Sequence, residues 1–373
     1  VTAPGGPHVV VIGAGVIGAS VAFRLARAGA RVTVIDRCGP AAGASGRSFG
    51  WINASFFADD DHFRLRLDAI AAHRRLDADL PGGSGVRWTG SLWWEEEGAR
   101  FDAFRDRLSA LGYPLREVPA AEIRTICPAL GGVPDRALAF PAEGWVDPGD
   151  LARRLLAAAR AGGARVWAGL PATALAEEGG RIAGVVTPQG VLPCDRVVVA
   201  AGNGTPRLLD PLEVSLPMLV RPGLLLRTRP MPPVFDRIFV APAMEIRQEP
   251  DGRILAPAAA GHQGDAAEAL ADRADRLADD AMTRLRGLLP GQPLAWDEIT
   301  VALRPMPGDG LPVIGPAGPD GLYIAVMHSG ATLAAIAGEL AAQEVLRKGA
   351  ADQLARYRPG RFTAATAPAA GSL

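Results

Sequence analysis

Continuous runs of β-branched residues alternate with helical apolar stripes at the start of the chain, and that alternation predicts a parallel sheet. Val9-Val10-Val11-Ile12 contains no polar position, as expected of a strand buried on both faces. It runs straight into Gly13-Ala14-Gly15-Val16-Ile17-Gly18. From Ser20 to Ala28 the apolar positions Val21, Leu25 and Ala28 share one side of a helix, and Gly29 stops it. Arg31-Val32-Thr33-Val34-Ile35 then forms a second strand that ends at Asp36. Strand, glycine turn, helix, strand and acidic residue make one complete βαβ unit.

Downstream the pattern departs from this scheme twice and returns twice. A Gly/Ala/Ser loop over Cys38 to Asn53 precedes helical spacing over Phe63 to Leu80, and Val86 to Trp94 then alternates as a half-buried strand does. Helices are expected over Phe101 to Leu111, Ala120 to Ile126 and Gly149 to Ala161, the last with Pro148 at its first turn. The buried-type strand Asp195 to Gly202 returns to the first pattern. Pro217 to Thr300 departs again into polar-alternating strands and a helix from about Ala266 to Leu289. Leu303 to Ile314, a strand over Leu322 to Met327 and a helix from about Ala331 to Leu346 complete the return. The expected fold class is α/β. A Rossmann-like nucleotide-binding domain, discontinuous over 1–82, 145–216 and 301–358, is interleaved with an α+β substrate domain on an antiparallel sheet over 83–144 and 217–300. The Ala/Pro/Gly-rich residues 359–373 are expected to form a disordered tail.

Charge and cysteine usage exclude several classes. With 39 Lys+Arg against 40 Asp+Glu in 373 residues, the chain lacks the basic excess of a nucleic-acid partner. Val9 to Phe23, the longest uncharged apolar stretch, carries three glycines and falls short of the roughly 20 residues of a membrane span. No integral membrane segment is expected. Val1 to Pro7 has no basic region ahead of an apolar core, and Cys38, Cys127 and Cys194 are isolated from one another. A cytoplasmic, reducing location without a metal site follows.

The chemistry starts at Gly13-x-Gly15-x-x-Gly18. Its first glycine permits the tight turn, the second lets the backbone approach a pyrophosphate, and the third allows close packing of helix on sheet. The helix that starts at Val16 and Ile17 aims its amides at that pyrophosphate. Asp36, roughly 20 residues on, is placed for an adenosine ribose, and Arg37 beside it for a phosphate. After its second strand the chain leaves the nucleotide pattern for a Gly/Ser/Arg loop, which favours FAD over a nicotinamide cofactor. A nicotinamide-dependent dehydrogenase with the same fingerprint is the alternative.

Further motifs follow in order: Gly43-Ala44-Ser45-Gly46-Arg47-Ser48; Gly144-Trp145-Val146-Asp147-Pro148; Val199-Ala200-Ala201-Gly202; Leu303-Arg304-Pro305-Met306-Pro307-Gly308-Asp309-Gly310-Leu311-Pro312-Val313-Ile314-Gly315; and His328-Ser329-Gly330. With the first fingerprint, over residues 8–347, they make the chain resemble the D-amino-acid oxidase, glycine oxidase and sarcosine oxidase family of FAD-dependent oxidoreductases. The resemblance implies that Ser45, Arg47 and Ser48 line the flavin and pyrophosphate and that Gly202 follows the adenine-side strand. It places Ser329, Gly330, Ala331 and Thr332 against the flavin. Arg304 would pair with a substrate carboxylate beside the flavin, a structural arginine between the domains being its bland counterpart. His328 would supply positive charge for reaction with oxygen, or be an ordinary loop histidine. Trp51, Trp94, Met244 and Arg247 are the expected pocket residues. No Cys or His stands just ahead of Arg304, so the FAD is expected to be non-covalent.

The implied activity is oxidation of the C–N bond of an amino acid or N-alkyl amino acid to an imine by hydride transfer to flavin N5, with oxygen or another electron acceptor. Relatives that use oxygen quickly often keep a lysine above the flavin, and the only lysine here is Lys348. A flavin-binding subunit of an amine-oxidising complex is a further alternative.

Overall fold

In the computed structural model the described residues are 6–242, 244–258 and 274–362. The first strand, His8–Ile12, lies inside a six-stranded sheet whose order runs Val313–Pro316, Leu322–Val326, Arg196–Val199, His8–Ile12, Arg31–Asp36, Arg165–Ala168. All neighbours are parallel except Val313–Pro316, which turns back on its partner. Val9 and Val11 pack into the core on one face, and Val10 and Ile12 into a separate core on the other. The absence of a polar position in this strand is thereby explained.

Helices cover the first face. Val16–Arg27 packs against Gly330–Val345 and against Pro148–Ala161. The first of these contacts is close: a Cβ on Gly338 would stand 2.2 Å from the Ser20 hydroxyl oxygen. Asp147 caps Pro148–Ala161, its carboxylate accepting from the Gly149 and Asp150 amides with Pro148 in the first turn. On the second face a three-stranded antiparallel sheet, Ala174–Glu178, Arg181–Thr187 and Gly190–Pro193, contributes Leu175, Ile182 and Val185 to the core.

The second layer is an eight-stranded sheet in the order Trp296–Pro307, Met218–Thr228, Ile254–Pro257, Met244–Gln248, Ile238–Ala241, Ser91–Trp93, Arg136–Phe140, Arg116–Pro119. It is antiparallel except where Ile238–Ala241 meets Ser91–Trp93. Leu224, Leu226, Met244, Ile246, Ile254 and Ala256 form a core with Ala278, Met282 and Leu285 of the helix Ala274–Leu288.

Several expectations shift. Trp296–Pro307 belongs wholly to the second sheet, so this strand carries the chain past the expected boundary at 301. The helix expected from Ala266 is described from Ala274 on, and 266–273 lie outside the described residues. Val86 to Trp94 is not one strand: Gly90 at φ +76° breaks it, leaving Ser91–Trp93 and a single bridge from Arg87 to Trp145. The expected tail starts later than 359, because Pro359–Phe362 forms a helical turn in which Arg361 pairs with Asp309 at 2.7 Å. Residues 363–373 lie outside the described residues.

Candidate active site

The three fingerprint glycines do three different jobs. Gly13 sits at φ +113° with its missing Cβ aimed 2.3 Å from the Ala200 carbonyl oxygen, so only glycine fits the turn between the strand His8–Ile12 and the helix Val16–Arg27. A Cβ on Gly18 would stand 2.0 Å from the Gly13 oxygen, which lets the helix lie against the strand end. Gly15, the N-cap, has only the Ser45 hydroxyl oxygen near its Cβ position, at 3.1 Å, and leaves its backbone open to a ligand. The Ser45 hydroxyl accepts from the Val16 amide at 3.0 Å. The Asp36 carboxylate accepts from the amides of Ala14 at 2.9 Å and of Cys38 and Gly39 at 2.8 Å. Three bonds leave it one of the roughly four acceptor positions of a carboxylate for a further donor.

A second helix start converges on the same place. Gly330–Val345 begins after Ser329, at φ +55°, and a Cβ on Gly330 would meet Val16 Cγ1 at 3.6 Å and Ile17 Cδ1 at 3.8 Å. Neither helix has an acidic residue in its first turn. Two positive dipole ends therefore face one region. Thr332 donates to the Trp51 carbonyl at 3.0 Å, and the Ser329 hydroxyl and His328 Nδ1 are 3.2 Å apart.

From these helix starts a cavity of about 560 Å³ runs to the second sheet. Val16, Ile17, Ser45, Arg47, Ser48, Trp51, Arg304 and His328 to Thr332 line it. Arg47 is nonetheless exposed, its guanidinium turned to the carbonyls of Ala42 and Gly43. Gly13, Gly15, Gly18, Asp36, Arg37 and Gly202 are outside the lining; Arg37 is exposed, and Gly202, at φ +55°, abuts Pro305.

The wall on the second sheet corrects three expectations. Arg304 lines the cavity, and its guanidinium lies over Gly223 of the neighbouring strand, where a Cβ would come within 2.7 Å of Nε. Met244, however, points to the opposite face and packs with Ile246 against the helix Ala274–Leu288. Trp94 is on that same far side, edge-on to Phe239. Arg247 shares the cavity-side parity but is sealed off one step along. Its Nε donates to the Phe49 carbonyl at 2.6 Å and its guanidinium stacks 4.2 Å from the Trp145 ring, while burial lowers its pKa to about 10. The cavity receives Glu245 instead. Burial, with Glu95 nearby, pushes that carboxyl up to about 8 against the pull of Arg304.

Residues 8–344 match the family model described as FAD dependent oxidoreductase. The chain belongs to that family. It is 30% identical over 339 residues to the glycine oxidase of Pseudomonas aeruginosa, covering 86% of this chain and 89% of that one. It is 27% identical to the D-amino acid dehydrogenase of Rhizobium johnstonii, covering 86% and 91%. Among solved structures, the glycine oxidase of Bacillus cereus superimposes with a TM-score of 0.83 at 22% identity, covering 94% of this chain and 98% of that one. The iminodiacetate oxidase of a Chelativorans species gives 0.82 at 25% identity, covering 94% and 98%.

The residues present fit the FAD that defines the family. The glycine turn leaves the bare backbone at Gly15, the two helix starts suit an anionic ligand, and Asp36 keeps an acceptor position at the end of the second strand. This chain is an FAD-dependent oxidoreductase, and among the described residues no helix is long and apolar enough to cross a membrane.

Beneath the cavity is a polar floor that no sequence motif announced. Buried Glu143 accepts from Trp51 Nε1 at 2.9 Å, the Ser91 hydroxyl at 2.6 Å, the Tyr113 hydroxyl at 2.9 Å and the Ser55 amide at 3.3 Å. Burial raises its pKa, and these donors work the other way. Arg66, buried and facing the cavity, donates to the Asn53 carbonyl at 3.1 Å and to Asn53 Oδ1 at 2.6 Å; burial lowers its pKa to about 10. Glu143 lies close enough to act on that charge and pulls the other way. His73 fixes the second helix start, its Nε2 standing 2.9 Å from the Ala331 carbonyl and 3.0 Å from that of Thr332. Both carbonyls require Nε2 to be protonated. Burial pushes the pKa of His73 and of cavity-lining His62 down to about 4, so both are neutral near pH 7.

Proposed function

We propose that the protein oxidises the C–N bond of an amino acid or N-alkyl amino acid to the imine, which water then hydrolyses, using non-covalently held FAD. The observation that carries this reading is Arg304: a planar guanidinium, seated over Gly223 in the wall of the cavity, matches the fork of a carboxylate. Held there by both oxygens, an amino acid has few orientations left for its Cα. Bound FAD would supply the hydride acceptor for that Cα. The lone pair of the neutral amine assists the hydride's departure, so no strong protein base is needed. Trp51, Phe56 and Leu225 keep water from the reacting end, and the helix start at Gly330, with His328, holds a favourable potential for negative charge.

The relatives' names support the substrate class, since one is a glycine oxidase and another a D-amino acid dehydrogenase. They also span both fates of the electrons, oxygen or another acceptor. Lys348, exposed after the helix Gly330–Val345, is not among the residues that line the cavity, which favours an acceptor other than oxygen. The three unpaired cysteines fit the cytoplasm. The test is an anaerobic visible spectrum of the purified protein, before and after D-, L- and N-methyl amino acids, with air admitted last. Bleaching of the flavin band is expected, with slow recolouring in air. A yellow protein that no amino acid bleaches would refute the substrate class.

A further inference from the structure

The cavity wall carries two opposite charges on one sheet face. Arg304 reaches over Gly223, on the strand Met218–Thr228. Leu225 of that strand pairs with Pro257, and the register that pairs Arg247 with Leu255 brings Glu245 opposite Pro257. Glu245 is thus two strands from the column that seats the guanidinium, with the apolar Pro257 and Leu225 between them, all four lining the same cavity. Two strand spacings, with the two-residue step along the strand from Leu225 to Gly223, separate the backbones at Glu245 and Gly223 by roughly 12 Å. An α-ammonium, one bond beyond the carbon that carries its carboxylate, cannot serve both ends of such a gap. A side chain that ends in a cation can.

The surroundings of Glu245 favour a positive ligand there. Val240 pairs with Glu245 on one side and with Trp93 on the other, and Glu95 follows shortly after, accepting from Trp93 Nε1 at 3.4 Å. Partial burial pushes each of the two carboxyls above the usual carboxylate range; Glu95 makes Glu245 harder to ionise, and Glu96 does the same to Glu95. A cation in the cavity beside Glu245 would offset the cost of ionising it. A second carboxylate or an uncharged alkyl tail would not.

We propose that this wall binds a carboxylate at Arg304 and a cationic group at Glu245, so that the preferred substrates are amino acids whose side chains end in a positive charge. The proposal rests on the reading of Arg304 as the carboxylate site. Lysine-length chains span the gap, and glycine and alanine leave Glu245 untouched.

The test uses the holoenzyme and anaerobic bleaching of its flavin by both enantiomers of lysine and of its uncharged near-isostere norleucine. Lysine is expected to exceed norleucine in kcat/KM by at least about tenfold, the worth of one hydrogen bond to a charged group. Glu245→Gln is expected to collapse that ratio, chiefly through KM, in a variant that retains its flavin. A binding measurement needs no turnover: ε-aminocaproate should perturb the flavin band at a concentration about tenfold lower than caproate. Should Glu245→Gln fail to fold, these two wild-type ratios decide the matter. Equal treatment of lysine and norleucine, or a ratio that survives Glu245→Gln, overturns the proposal and leaves Arg304 as the carboxylate site. If neither caproate nor any amino acid perturbs the band, the Arg304 reading fails, and this proposal fails with it.

Discussion

The two ends of the cavity are built from different parts of the chain. The end at Gly13 to Gly18 and Gly330 is made of backbone: amides at two helix starts, missing Cβ atoms and a carbonyl 2.3 Å from where one would be. The end at Arg304 and Glu245 is made of side chains on strands drawn from distant stretches of sequence. Backbone ends tolerate almost no change in residue type, because geometry leaves no room. Side-chain ends can be retuned one residue at a time while the sheet persists, and for that reason relatives of one fold can differ in substrate.

Gly18→Val should break the first end most severely. Its Cβ would enter the 2.0 Å gap to the Gly13 oxygen, so helix Val16–Arg27 must move off the sheet or the turn must open. The expected cost is about 3 kcal/mol or more, together with loss of bound flavin, read as absorbance per protein and as a fall in Tm. A yellow variant of unchanged Tm would show that the glycine turn is not what holds the cofactor.

At the second end, Arg304→Ala should leave the flavin bound and raise KM for amino-acid substrates about a hundredfold, the worth of a charge-assisted bidentate contact. Gly223→Ala sharpens the point without removing the arginine, because a methyl there would stand 2.7 Å from Nε and displace the guanidinium. Its KM should rise about tenfold with flavin content unchanged. Wild-type KM in both variants would remove Arg304 from the substrate site.

The same division explains what could be read from sequence. The glycine turn, Asp36 and the helix starts are local patterns in which spacing alone fixes geometry, and the structure brings them together. The wall depended on strand parity, which has a period of two, so a shift of one residue selects the wrong face. Met244 was expected in the pocket and Glu245 occupies it. The apolar alternation Met244, Ile246 could have marked that face as core and the intervening charges as the other side. Trp94 fails for the same reason, sharing its face with Leu92. Arg247 has the right parity, and no local signal announces that Phe49 and Trp145, from distant segments, cover it. Glu143 and Arg66 were illegible because their partners are scattered over three separate segments of the chain.

A third prediction concerns the junction between the ends. His73 ties the helix Asp60–Asp79 to the Ala331 and Thr332 carbonyls, and burial lowers its pKa from 6.5 to about 4. Between those values the unfolded chain takes up a proton that the folded one refuses, so stability falls as pH drops through the window. The loss is at most about 3 kcal/mol from this residue, and His62 adds in the same direction. Denaturant titrations at both edges of the window should show a steeper pH dependence for the wild type than for His73→Gln. Equal slopes would mean that His73 takes up its proton without cost to the fold.

The smallest effect is expected from Met244→Leu, and it tests the parity argument most directly. Met244 is buried among Ile246, Met282 and Leu285, behind the sheet from the substrate, and exchange of methionine for leucine conserves most of its volume. Such a swap costs under about 1.5 kcal/mol, and nothing in the cavity changes shape or charge. KM, kcat and any preference for cationic side chains should match the wild type, with only a slight fall in Tm. Glu245, its neighbour in the chain, is the contrast: a change there keeps the core behind the sheet and alters the wall in front of it. If Met244→Leu moved KM as much as Glu245→Gln does, the two faces of the strand would be coupled through the sheet. The wall would then have to be treated as a deformable layer and not as a fixed surface that presents its charges.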